Sequence, residues 1–161
     1  KISVNHEGYF RREVSVTAEP PGTRVESTVP LRARPKKSFI VIKKNRIVIK
    51  KKIHFETNSD KVKAKSMGVI DAIADTLLEH KEIKLVQIQG HTDNRGRRNY
   101  NKDLSERRAS GIRKHLIRAG VSPIRLEAKG FGQDRPVAPN ITARGRARNR
   151  RVEFHILERD E

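Results

Sequence analysis

The chain has 161 residues, no cysteine, and a formal net charge of +18 from 37 Lys and Arg against 19 Asp and Glu. The lack of sulfur excludes thiol nucleophiles, disulfides and thiolate metal sites. Hydrophobic residues make up 34% of the chain in runs of only a few, far from the roughly 20 in a row that a membrane-spanning helix needs, so the expectation is a soluble chain. Its length suits one domain of ordinary size with about 40 residues left over. It begins with Lys1 and shows no basic, apolar leader pattern, which reads as a fragment or mature form whose targeting segment is missing. The charge is uneven, with 17 basic residues against 4 acidic ones between Asn94 and Arg151. Such a field attracts nucleic acid, anionic lipid and acidic wall polymers alike and does not choose among them.

In chain order, residues 1–40 form an N-terminal β-rich extension, or the end of an upstream domain. They show alternation at Arg12-Glu13-Val14-Ser15-Val16-Thr17-Ala18 and a turn signal at Pro20-Pro21-Gly22. Lys36-Lys37 marks a boundary before the strand-like Ser38-Phe39-Ile40-Val41-Ile42, and residues 41–161 form the main domain. Ile47, Ile49, Ile53 and Phe55 suggest a strand or hairpin arm. Thr57-Asn58-Ser59-Asp60 then offers a helix start, and Val62, Met67, Ile70, Ile73, Ala74, Leu77 and Leu78 recur at helical spacing over about 60–80. A strand over 85–89 closes at Gly90. A second helix over about 100–119 is capped by Gly120. A strand-like run over 123–129, a loop with a short helical turn, and a last strand over 152–157 complete the chain. The order β-α-β-α-β predicts an α+β fold, a two-layer sandwich with helices on one face of a mixed sheet.

The chemistry concentrates around the second helix. At about 100° per residue, Leu104, Ala109, Ile112, Leu116 and Ala119 fall within an arc of roughly 140°. Arg108 lies inside that arc, as does Asn101, whereas Arg107, Arg113, Lys114 and Arg118 lie outside it. An inward guanidinium must find acceptors, and Asp93, in the loop entering the helix, is the nearest candidate in sequence. Two arrangements remain open from spacing. Asp93 and Arg108 pair directly as a structural salt bridge, or they stand apart and share a zwitterion, the carboxylate accepting from an ammonium while the planar guanidinium grips a carboxylate.

Gly90-His91-Thr92-Asp93-Asn94, Gly96 and Tyr100-Asn101-Lys102-Asp103-Leu104-Ser105-Glu106-Arg107-Arg108-Ala109 are followed by Gly120-Val121, Gly130-Phe131-Gly132, Pro136, Asn140, Thr142, Gly145-Arg146-Ala147 and Asn149-Arg150-Arg151-Val152-Glu153-Phe154. In order and spacing these blocks resemble the OmpA-like peptidoglycan-binding domain over about residues 46–157. The resemblance implies noncovalent binding of peptidoglycan through the diaminopimelate of its stem peptide. It selects the shared-ligand arrangement, with Asp93 holding the ammonium and Arg108 the carboxylate. Asn101, Thr92 and backbone amides of the turn from Asn94 to Gly96 assist, and Phe55 and Asn58 are expected at the pocket edge. It implies a periplasmic, outer-membrane-associated anchor of an envelope assembly, with any membrane contact made through an upstream segment. In Asn149-Arg150-Arg151 a structural or surface role is expected.

No Gly-x-Ser-x-Gly elbow, phosphate-cradling loop or His-x-x-x-His pair is present, so neither an enzyme nor a metal or cofactor site is expected. His91 reads as a hydrogen-bonding residue at a strand end or loop. The alternative from charge alone is a polyanion-binding module, for which Arg144-Gly145-Arg146-Ala147-Arg148-Asn149-Arg150-Arg151 is suited. With 5 Phe and 2 Tyr and no interleaved stacking platform, nucleic acid is not the expected partner.

Overall fold

The computed structural model describes residues 2–4, 6–17, 20, 26, 28–33 and 39–160. The expected turn at Pro21-Gly22 and the boundary at Lys36-Lys37 lie outside them. Strands β1 (Ile2–Val4) and β2 (Arg12–Val14) pair antiparallel as a small sheet of their own. Phe10 is buried beside them, and its N–H donates to Arg32 O at 2.8 Å.

The main sheet has five strands in the order β3 (Ile40–Ile42), β4 (Arg46–Ile49), β7 (Arg151–Arg159), β5 (Ile83–His91), β6 (Leu126–Gly132). Only β5 and β6 run parallel; the other neighbours are antiparallel, so the sheet is mixed as the element order predicts. Along β7, Val152, Phe154 and Ile156 point into the core. The residues between them reach one another instead, Glu153 accepting from both Arg151 and His155. Gln87 likewise bonds Glu127 across β5 and β6. One face of the sheet is thus a self-satisfied polar surface, and the other is covered by α1 (Ala64–Glu79) and α2 (Arg98–Arg118). Ile70, Ile73 and Leu77 of α1 and Ile112 and Leu116 of α2 join Ile83, Val86, Ile88 and Phe154 in one core. A third helix, α3 (Ala143–Asn149), precedes β7 and is capped by Thr142, whose hydroxyl accepts from Gly145 N–H at 2.9 Å.

Several boundaries differ from expectation, among them β5, which runs Ile83–His91 where 85–89 was expected. Helix α1 begins at Ala64, after Lys63, and not near Asp60. Residues 54–63 instead form a tight antiparallel turn in which Phe55 bridges Val62, Glu56 N–H donates to Lys61 O at 2.9 Å, and Lys63 N–H donates to His54 O at 2.9 Å. Asn58 takes the left-handed conformation at φ 51 that this turn needs. Backbone committed to that ladder cannot also open a helix. The run after Ser122 begins with a single 3-10 turn, Pro123–Arg125, and β6 starts only at Leu126. The last strand extends to Arg159, two residues past the apolar alternation.

Helix α2 lies unusually close to the sheet. A Cβ added at Gly90 would stand 2.2 Å from Ser105 O, and one added at Gly130, its partner across β5 and β6, 2.3 Å from Glu106 N. The contact is between backbones, so no side-chain rotation relieves a methyl there. Gly90→Ala and Gly130→Ala should each destabilise the fold by about 3 kcal/mol or more, read as a lowered urea midpoint. An unchanged midpoint in both variants would disprove the close approach.

Candidate functional site

The site forms where β5 and β6 end. Thr92 N–H donates to Gly132 O at 2.8 Å, and the Thr92 hydroxyl donates to Asp93 O at 2.8 Å, turning the chain out of the sheet. Asp93 is only 7% exposed. Its Oδ1 accepts from Arg95 N–H at 3.0 Å and its Oδ2 from an Arg150 N–H at 2.6 Å. Asn101, in the first turn of α2, is buried and directs its amide N–H groups at Asp93 O, Arg95 O and Gln133 Oε1. Gly96 closes the loop at φ 93, a left-handed conformation. Thr92 and Asn101 are therefore spent on holding the loop, while Asn94 and Gly96 stand exposed on it.

Arg108 projects from the same face of α2 as Asn101, two turns later, and is half-buried. Its Nε donates to Ser59 O at 2.9 Å, and its guanidinium stacks 4.8 Å above the centre of the Phe55 ring. Burial, with Arg150 adding to it, pulls its pKa below the usual value, yet an arginine stays charged. Among the described residues no ion pair joins Arg108 to Asp93, so the direct salt bridge left open by spacing does not form. Arg150 takes the place expected for it, pairing with Asp93.

The sequence puts Arg150 in a run with a structural or surface role, and a finer signal for it exists. In the antiparallel pairing of β5 with β7, His91 faces Arg151. The residue before Arg151 must therefore lie near those just after His91. Its neighbour Asn149 is fully structural, its buried side chain bonding Val137 N, Ala138 N, Ala138 O and Asn140 Oδ1.

A cleft of about 320 Å³ opens beside these groups, with Phe55, Arg108, Lys52, Arg150, Arg151 and His91 among its walls. Asp93 does not itself line the cleft but is tied to Arg150, which does. Phe55 stands in the cleft wall; Asn58 does not line the cleft, and shapes the turn that presents the Ser59 carbonyl to Arg108. A larger cleft, of about 460 Å³, lies between the N-terminal segment, the first half of α1 and the last turn of α2, away from Asp93 and Arg108.

His91 departs from its sequence reading. It does end a strand, but it is 2% exposed and neither ring nitrogen has a hydrogen-bond partner. The ring is instead stacked on Phe131, centroids 5.4 Å apart. Burial first, and then the nearby Arg151 charge, push its pKa down to about 4. Between pH 6.5 and 4 the unfolded chain therefore binds a proton on His91 that the folded chain refuses, and stability falls as pH drops through that window. Below about 4 this group adds no further loss. On lowering the pH from 7 to 4.5, wild-type protein should lose about 2 kcal/mol more unfolding free energy than His91→Leu. Equal losses in urea titrations at the two pH values would contradict a neutral, buried ring.

Comparison with known proteins covers this region. Residues 54–150, more than half of the chain, match the OmpA family. The peptidoglycan-associated lipoprotein of Pseudomonas aeruginosa is 41% identical over 101 residues, 63% of this chain and 59% of its own length. The outer membrane porin F of Pseudomonas fluorescens is 40% identical over 104 residues, 65% of this chain and 32% of its own. The chain thus spans from under a third to about three-fifths of the curated relatives it matches. Among solved structures, the periplasmic domain of Helicobacter pylori MotB superposes with a TM-score of 0.62 at 26% identity, covering 76% of this chain and 82% of that one. The peptidoglycan-associated lipoprotein from Burkholderia pseudomallei superposes with a TM-score of 0.57 at 31% identity, over 65% and 86%. The relatives are outer membrane proteins, lipoproteins and the periplasmic domain of MotB, and among the described residues of this chain no helix is long and apolar enough to cross a membrane. The chain belongs to the OmpA family.

Proposed function

We propose that this chain is a noncovalent anchor to peptidoglycan, acting in the periplasm to tether an outer-membrane or envelope assembly to the wall, without catalysis. The observation that carries the reading is Arg108. It is a half-buried guanidinium on the wall of a cleft, braced by Phe55 and by one backbone carbonyl, with no carboxylate paired to it among the described residues. A charge held out of water in that way favours an anionic ligand. Arg108 grips the carboxylate at the free end of diaminopimelate, and Asp93 accepts from its ammonium. Asn101 and Thr92 serve by holding Asp93 in place, and the exposed amides of Asn94 and Gly96 add donors. The peptidoglycan-associated name of two relatives supports the ligand class.

Co-sedimentation with purified diaminopimelate-type sacculi at about 0.15 M salt, where exposed charges are screened beyond about 8 Å, tests this reading. Arg108→Ala should lose at least about tenfold in affinity and remain folded, because only the Ser59 and Phe55 contacts are removed. Asp93→Ala should also lose binding, but it releases Arg150 and Arg95 as well, so Arg108→Ala is the cleaner probe. Equal, salt-sensitive pelleting of wild type and Arg108→Ala would overturn the site and leave a charge-driven polyanion module in its place.

A further inference from the structure

Among the described residues four cations line the 320 Å³ cleft, Lys52, Arg108, Arg150 and Arg151, and no Asp or Glu does. Two of them are answered by carboxylates nearby, Arg150 by Asp93 and Arg151 by Glu153. The bonds described for the other two are to uncharged backbone, Lys52 to Ala147 O and Arg108 to Ser59 O. Asp60 acts on Arg108 through space without bonding it, so the site holds four positive charges against three negative ones. A zwitterionic head group leaves that balance unchanged, since its ammonium and carboxylate cancel. It also places that ammonium on Asp93 next to Arg150, so that two cations share one carboxylate at close range.

We propose that the cleft is a two-carboxylate site, in which Lys52 and Arg150 hold a second carboxylate of the ligand opposite the one gripped by Arg108. This inference rests on the function proposed above and specifies the chemistry of its ligand. The wall peptide recognised is one in which the diaminopimelate end is accompanied by a neighbouring free carboxylate, and an amidated peptide is discriminated against. Lys52 is in place for this role. It lies beyond β4 on the opposite chain segment from α2, and its Nζ is drawn to the carbonyl of Ala147 on α3. Partial loss of hydration at the cleft wall and the charges of Arg150 and Arg151 lower its pKa, the expected response of an ammonium among cations that a second anion would relieve. The cleft also has the room. Its volume is that of about ten waters, more than one carboxylate and one ammonium fill, and Phe55, Ile53 and Val152 supply apolar wall for the methylenes between the charged ends.

The test is calorimetric titration of the intact chain, at about 0.15 M salt, with two soluble diaminopimelate peptides. They differ only in whether the carboxylate adjoining the diaminopimelate residue is free or a carboxamide. Wild type should bind the free acid about tenfold tighter, the worth of one charge-assisted contact. Lys52→Gln should bind both peptides nearly alike, and Lys52→Arg should keep most of the preference. Lys52 is exposed, so neither substitution threatens the core. Equal binding of the two peptides by wild type, with binding still lost in Arg108→Ala, overturns the second carboxylate and leaves the anchoring function standing. A preference that survives undiminished in Lys52→Gln overturns the assignment to this residue. No binding of either peptide, or binding indifferent to Arg108→Ala, overturns the anchoring function itself and this inference with it.

Discussion

The approach of α2 to the parallel pair β5 and β6 is the constraint on which the site depends. Gly90 and Gly130 provide a floor without side chains, and Ser105 rests on it. The Ser105 hydroxyl donates to Lys102 O and accepts from Gly132 N–H. Beside it, Glu106 accepts from Gly130 N–H and Lys102 donates to Gly130 O. Because β6 is an edge strand, its outward backbone groups would otherwise lie open; the helix satisfies them with its own side chains. Once Ser105 is fixed at this depth, helical geometry determines its neighbours on the same face. Asn101, one turn earlier, meets the loop after β5, and Arg108, one turn later, meets the Phe55 turn. A methyl on either glycine would lift both ends of the site together, although it touches neither.

The second constraint is electrostatic. Asp93 is nearly buried, and a carboxylate there must be answered. Arg95 answers through its backbone N–H and Arg150 through its guanidinium, so the loop, the last helix and the last strand are joined at one carboxylate. Arg108 is left outside that knot. Its hydrogen bond to a carbonyl and its seat on an aromatic face compensate for dehydration without cancelling its charge. The protein has therefore given the carboxylate of the pair a charged partner of its own and left the guanidinium with an uncharged one. This asymmetry favours an anion at the site more strongly than the spacing of the two residues suggests.

Much of this was legible in the chain. The arc of α2 separates Arg108 from Arg107 by rotation alone, and Gly120 marks the helix end at φ 104. The alternation of Val152, Phe154 and Ile156 identifies the last strand and its buried face. What stayed illegible has physical causes. Asn58 and Ser59 belong to residue types that open helices and make turns by the same local hydrogen bonding. Only the distant pairing of Phe55 with Val62 decides between the two outcomes. Arg150 was hidden in a run of arginines, because its distinction comes from strand register and not from its surroundings in sequence. The stacking of His91 on Phe131 joins positions 40 apart in the chain, and the polar character of histidine points the other way.

The large positive charge invites the view that attraction alone explains binding, and the structure argues for dividing the work. Most of the basic residues of α2 and α3 are exposed, and such ion pairs as Arg107 with Asp103 or Arg98 with Asp134 lie at the surface, where pairs contribute little and salt screens them. Charges in that setting raise the local concentration of any polyanion and speed encounter. They cannot distinguish a carboxylate from a phosphate or one wall peptide from another. Discrimination requires charges whose hydration is already partly lost and whose directions are fixed, because only there does a mismatched ligand leave a polar group unpaired. Arg108, braced from below by Phe55 and from the side by Ser59, meets both conditions. The exposed arginines away from the cleft meet neither, so the same net charge that brings the chain to a polyanion leaves selection to the cleft.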